Sequence, residues 1–267
     1  MSADFTYFNL PATLSWAGLR AGQGAPLLFI HGSLCDARYW RAQVSEFAQH
    51  GRDAIAPSLR AYYPSKSYPE LSWSRDVDEL TQLVQALPGT VDVVAHSRGG
   101  LLACHLAQRI PEKLGKMVLV EPAGRMEGDD SAALRLDKAF RDRLAAQLEA
   151  GVTESAVAEF VDSVSREGSW RYSPASFRKM ALDNAHTLPS QLNTDLLPHY
   201  QPEALAGLTL PVLLMQGQRS PERFHETVAH LAAHLPNASV VEVAGASHAV
   251  NLAHPRRFNE IVSAFLA

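Results

Sequence analysis

The sequence predicts an α/β fold: a mostly parallel, eight-stranded sheet with helices on both faces and an all-helical segment inserted after the sixth strand. Three observations predict it. Eight short apolar or alternating segments are bounded by turn residues, helix-like stretches lie between most of them, and from about 123 to 208 the pattern is helical only. Strands that alternate with helices imply a parallel sheet covered on both sides.

The first two segments, Phe5–Asn9 and Ala12–Trp16, alternate and flank a proline, as an N-terminal hairpin does. Six apolar runs follow: Pro26–Ile30, Asp53–Ala56, Val91–Val94, Met117–Val120, Val212–Met215 and Ser239–Val243. Among the helices between them, Asp78–Leu87 carries Leu80, Leu83, Val84 and Leu87 on one face. In the insertion, helices are expected over Ser131–Ala150, Thr153–Val164 and Ser176–His186, punctuated by Gly151, Gly168, Pro174 and Pro189. The core is therefore 1–122 with 209–267, and 123–208 forms a helical lid.

A chain of 267 residues, 46% hydrophobic and 19% charged, can bury a large core. Its net charge of −4, with no basic block, argues against a nucleic-acid partner. No apolar run approaches the ~20 residues of a membrane helix. The first ten residues lack a basic start before an apolar core, so no secretory leader is expected. Cys35 and Cys104 lie far apart and suggest no disulfide framework. The expectation is a cytoplasmic monomer or homodimer acting on a small molecule, with no membrane partner.

One stretch carries chemistry. In Val91-Asp-Val-Val-Ala-His-Ser-Arg-Gly-Gly, a strand runs straight into a helix, with Ser97 at the junction. Ala95 and Gly99 are small at −2 and +2, as a sharp turn around an exposed hydroxyl requires. Ligands of open parallel sheets bind at the strands' carboxyl ends, and the first helical amides favour developing negative charge there.

This unit resembles the nucleophile elbow of the α/β-hydrolase superfamily, with Ala95 in place of the first glycine of its G-x-S-x-G. Phe29-Ile-His31-Gly32-Ser33-Leu34-Cys35 resembles the HG loop of the same family, and Val243-Ala-Gly-Ala-Ser-His248 its catalytic-histidine loop. The resemblance implies that Ser97 attacks, that His248 shuttles its proton, and that the amides of Ser33 and Arg98 form the oxyanion hole. His31 suits a bracing role in its loop better than direct catalysis. Pro57–Ser65 resembles another loop of the family, with Tyr62 and Tyr63 at positions that reshape the pocket mouth.

The family commonly places its acid where this chain has Ser220, and a hydroxyl cannot supply the missing charge. Some branches place it after the sixth strand. There this chain has Glu121, a carboxylate that follows four apolar residues and is costly to bury unpaired. Glu121 is thus expected to be the acid, with Glu222 as the alternative; the competing structural role for Glu121 is a pair with Arg125.

The reaction so implied is hydrolysis of a carboxylic ester or lactone of a small, largely apolar substrate, without cofactor or metal. His31, Leu34, Trp170 and Tyr172 are expected at the substrate, with Phe177 a further lid candidate. Carbon–carbon bond hydrolysis, other cofactor-free chemistry of the fold, and a ligand receptor with a decayed triad are the alternatives. His225 and His230 are five apart and cannot share a helix face as a zinc-protease pair does. His230 and His234 are four apart but lack an acidic third ligand nearby.

Overall fold

Five of the six apolar runs, with almost every residue buried, become the centre of one sheet, because strands covered on both faces need apolar side chains on both. The sixth, Ser239–Val243, forms an edge strand and is largely exposed. The computed structural model describes residues 5–65, 71–127, 132–192 and 198–267. Its strands are β1 (Phe5–Asn9), β2 (Ser15–Ala21), β3 (Ala25–Ile30), β4 (Arg52–Pro57), β5 (Val91–His96), β6 (Leu114–Val120), β7 (Val212–Gly217) and β8 (Ala238–Val243). They form one sheet in the order β1-β2-β4-β3-β5-β6-β7-β8. β2 pairs antiparallel with β1 and β4, and every pairing from β4 to β8 is parallel.

The strands' two-residue period divides the core between the faces. Leu28, Ile30, Val93 and Leu119 enter one apolar cluster, with α2 (Trp73–Ala86) and α3 (Arg98–Arg109) packed on it. Leu27, Phe29, Val94 and Val118 enter the other, against α1 (Arg41–Gln49) and α12 (Pro255–Leu266). Each fully buried leucine or valine contributes about 1.5–3 kcal/mol.

The amphipathic face of α2 extends further back than its sequence periodicity suggests. Ser72 caps it, its hydroxyl accepting from the Arg75 amide at 3.4 Å, and Val77, Leu80, Leu83 and Val84 turn to the core. The helix stops at Ala86 because Leu87 precedes a proline and is extended, with φ −84° and ψ 148°.

Among the described residues, the α-helices between β6 and β7 are α4 (Ala132–Glu149), α5 (Thr153–Val164), α6 (Ser169–Tyr172), α7 (Ala175–Asp183), α8 (Leu188–Leu192) and α9 (Pro202–Ala206). The expected start of the first, Ser131, lies outside the described residues. Leu144, Val157, Ala181 and Leu188 give these helices an apolar cluster of their own. Their base is stitched where the chain leaves and returns to the sheet. The Tyr200 amide donates to the Arg125 carbonyl at 2.7 Å, and the Tyr200 hydroxyl to the Ala123 carbonyl at 2.8 Å.

A second tie crosses from the insertion to the core loops. The Asn184 amide donates to Asp36 at 2.8 Å, and its oxygen accepts from the Tyr63 backbone at 2.7 Å. Arg38 bridges Asp36 (2.6 Å) and Asp183 (2.9 Å). Among the described residues, no helix is long and apolar enough to cross a membrane.

Candidate active site

The chain turns from β5 into α3 at Ser97, whose φ of 53° is rare outside glycine. The turn is fixed from both sides: the Ser97 amide donates to the Val120 carbonyl at 3.0 Å, and its carbonyl accepts from Gly100 (2.8 Å) and Ala123 (3.1 Å). A serine at a helix start ordinarily caps it. This one makes no capping bond, which leaves its hydroxyl for other work.

The neighbouring glycines are required by close approach. A Cβ on Gly99 would lie 2.6 Å from the Ile30 carbonyl oxygen and 2.7 Å from that of His31. One on Gly32 would meet His96 Nδ1 at 2.9 Å and Ser97 Cβ at 3.0 Å, so the loop after β3 lies directly against the serine.

His248 follows β8 in a loop held by the segment after β7. The Arg219 amide donates to the Ala246 carbonyl at 2.8 Å, and the Gly245 amide to the Gln218 side chain at 2.9 Å. The ring stacks on Phe224 at 4.2 Å between centroids and meets His96 at 4.6 Å. His96 Nε2 donates to the His248 carbonyl at 2.9 Å, since a carbonyl can only accept. The residue before Ser97 therefore holds the histidine loop over the strand that carries the serine. Burial pushes the His96 pKa well below the ordinary histidine range, which suits this neutral donor role.

The carboxylate facing His248 is Glu121. It is fully buried, stands at φ 49° just past β6, and its Oε2 lies 3.2 Å from His248 Nδ1. Its other oxygen accepts two bonds, from the Gly217 amide at 2.5 Å and the Ser220 hydroxyl at 2.8 Å. Ser220, which follows β7, thus serves as a hydrogen-bond donor to the carboxylate that follows the neighbouring strand β6. Glu222 stands exposed in the first turn of α10 (Glu222–His234).

Over Ser97 opens a cavity of about 570 Å³, walled by the sheet edge on one side and the helical insertion on the other. Ser33 and Arg98 border it beside the serine, and Trp73, Phe140, Phe160 and Phe224 give it aromatic walls. The Arg98 side chain is buried, donates to Asp76 at 2.6 Å and lies 4.1 Å from the Trp73 ring, so the lone charge on this turn is neutralised from behind.

Four residues expected at the substrate lie elsewhere. His31 is fully buried; its Nδ1 donates to the Gly32 carbonyl at 2.9 Å and its Nε2 accepts from the Leu59 amide at 3.1 Å. Burial lowers its pKa to about 4, and it braces the loop as a neutral ring. Leu34 is buried in the apolar cluster of the insertion, and Trp170 packs at the edge of that cluster. Tyr172 is 81% exposed. Phe177 packs between two clusters. Tyr62 is buried in the core and Tyr63 covers Arg38, so neither borders the cavity mouth. Among the described residues, no cluster of three or more His, Cys, Asp or Glu side chains is placed to hold a metal ion.

The sequence profile of the alpha/beta hydrolase family matches residues 27–261. The pimeloyl-[acyl-carrier protein] methyl ester esterase of Chromobacterium violaceum is 26% identical over 258 residues, 89% of this chain and 92% of that protein. The 2-hydroxymuconate semialdehyde hydrolase of Pseudomonas sp. strain CF600 is 34% identical over 119 residues, 40% of this chain and 42% of that protein. Among solved structures, a thermophilic esterase from Thermogutta terrifontis superposes with a TM-score of 0.77 at 23% identity, over 99% of this chain and 98% of that one.

Proposed function

The chain belongs to the alpha/beta hydrolase family, and from that premise we propose that it hydrolyses a carboxylic ester or lactone of a small molecule through an acyl-enzyme on Ser97. His248 takes the serine proton through Nε2 as the hydroxyl attacks the carbonyl carbon, then returns it to the leaving alcohol. Glu121 holds the proton on Nδ1 and stabilises the imidazolium that forms. The amides of Ser33 and Arg98 receive the oxyanion, and water then repeats the sequence to free the acid. The helical insertion acts as a lid that keeps bulk water from the ester.

The observation that carries the reading is the three-way hold on Glu121. A buried carboxylate with one oxygen committed to two donors and the other facing His248 Nδ1 is arranged to fix that ring's tautomer. The ester preference draws support from the Chromobacterium relative, whose name describes an ester hydrolase. The test is fluorophosphonate labelling with mass mapping, run beside a panel of aryl esters, aliphatic esters and lactones. Stoichiometric modification of Ser97, and turnover that disappears in Ser97→Ala, is the expected result. An inert serine in folded protein would refute the reading and leave a binding protein.

A further inference from the structure

The cavity over Ser97 is lined by both apolar side chains and cationic ones. Besides Arg98, three arginines from separate parts of the chain border it: Arg125 in the loop leaving β6, Arg141 on α4 and Arg223 in the first turn of α10. Two carboxylates accompany them. Asp137 is taken up by Arg141 at 2.6 Å, and Glu226 is exposed at the rim. Arg141 also donates to the Gln191 carbonyl at 3.3 Å, and Arg223 to the Ser163 carbonyl at 2.7 Å. Both acceptors are neutral carbonyls, so the bond to Ser163 leaves the Arg223 charge in place, 5.1 Å from the Phe224 ring. Arg125 is half-buried and borders the same cavity.

Three arginines against two carboxylates leave this cavity with an excess of positive charge in a chain of net charge −4. Burial lowers the Arg223 pKa; the Asp137 carboxylate opposes that shift, and Arg141 adds the smallest part to it. A bound anion supplies a partner for that desolvated charge, and guanidinium forks match a carboxylate's two oxygens. The same cavity is lined by Leu101, Met126, Phe160 and Val164, surface for methylenes rather than for polar groups.

We propose that the preferred ester carries a carboxylate at the far end of an aliphatic arm, held by Arg125 and Arg223 while its carbonyl meets Ser97: a half-ester of a dicarboxylic acid. This rests on the ester-hydrolase reading and replaces the expectation of a largely apolar substrate. Each charge-assisted contact that is kept from water raises binding by about tenfold.

The experiment compares kcat/KM for monomethyl adipate and monomethyl suberate with the corresponding dimethyl esters, at low salt and at high salt. In the wild-type protein the monoesters are favoured at least tenfold, and the preference shrinks as salt rises. In the Arg125→Gln/Arg223→Gln double variant the monoester-to-diester ratio falls toward one, and Arg223→Lys, which keeps the charge, retains part of it. A wild-type ratio of one or less, with turnover that depends on Ser97, overturns the proposal and leaves the hydrolase reading intact. Should no ester be turned over, that reading fails instead, and calorimetry of adipate and suberate on Ser97→Ala decides the carboxylate site. Binding that weakens at least tenfold in the double-arginine background supports it, and absence of binding at millimolar concentration overturns it. If the double variant melts early, the wild-type ratio and its salt dependence carry the decision alone.

Discussion

Replacing Glu121 by glutamine changes one oxygen to an NH2 in a pocket that accepts little rearrangement. Oε1 receives a backbone amide and a hydroxyl, Gly217 at 2.5 Å and Ser220 at 2.8 Å. The Gly217 N–H cannot turn away, so the glutamine carbonyl must stay on that side and its NH2 must face His248 Nδ1. A donor opposite Nδ1 draws out that nitrogen's lone pair and places the ring proton on Nε2, where it can no longer accept the serine proton. The loss is that of a triad in the wrong tautomer, about 10³–10⁴-fold in kcat, or roughly 4–5.5 kcal/mol of barrier at 1.36 kcal/mol per decade. Steady-state hydrolysis of p-nitrophenyl butyrate reads it, with a thermal melt to show that the variant is folded. A folded Glu121→Gln enzyme within threefold of wild-type kcat would refute the reasoning, because the carboxylate would then not govern the imidazole.

Other expectations are as concrete. Gly99→Ala drives a methyl against two backbone carbonyl oxygens at 2.6 and 2.7 Å that cannot swing aside; a destabilisation of about 3 kcal/mol, with loss of turnover, is expected from urea melts. Asn184→Ala removes the acceptor of the Tyr63 amide and a donor to Asp36, at about 1–3 kcal/mol; an unchanged melting temperature would discount this tie. His31 binds protons more weakly folded, at a pKa of about 4, than unfolded, at 6.5. Its contribution is therefore complete above about pH 6.5 and is lost as pH falls toward 4, about 3 kcal/mol in all. Urea midpoints across that window should fall more gently in His31→Gln, and identical pH profiles would contradict the assignment.

The strands could be read from the sequence where burial on both faces leaves an uninterrupted apolar run, as in Pro26–Ile30 or Val212–Met215. Their ends could not, because Gln216 and His96 are polar residues that stay in register with a neighbouring strand. The sequence alternation places β2 at Ala12–Trp16, whereas the strand runs from Ser15 to Ala21 because Gly18 and Leu19 pair with both β1 and β4. Helices of four or five residues, Ser169–Tyr172, Leu188–Leu192 and Pro202–Ala206, are too short to show a period. At the candidate site, Ser97 and His248 stand in local motifs and Glu121 is conspicuous as a charge after an apolar run. The role of Ser220 as a donor to that charge depends on a contact between strands, which no single window contains. The same is true of the arginines around the cavity, while the aromatics at 170 and 172 showed their type without the direction they face.

Among the described residues, three that are not glycine sit at positive φ: Leu34 at 57°, Ser97 at 53° and Glu121 at 49°. All three follow the carboxyl ends of adjacent strands, β3, β5 and β6. A conformation of this kind costs about 1–3 kcal/mol at each position and persists only where surrounding packing enforces it. Under the proposed mechanism, two of the three are members of the triad, so tolerance to heat and capacity for turnover pull on the same residues in opposite directions. Selection for heat resistance alone should drift Ser97 toward glycine and yield a sturdier protein that no longer reacts.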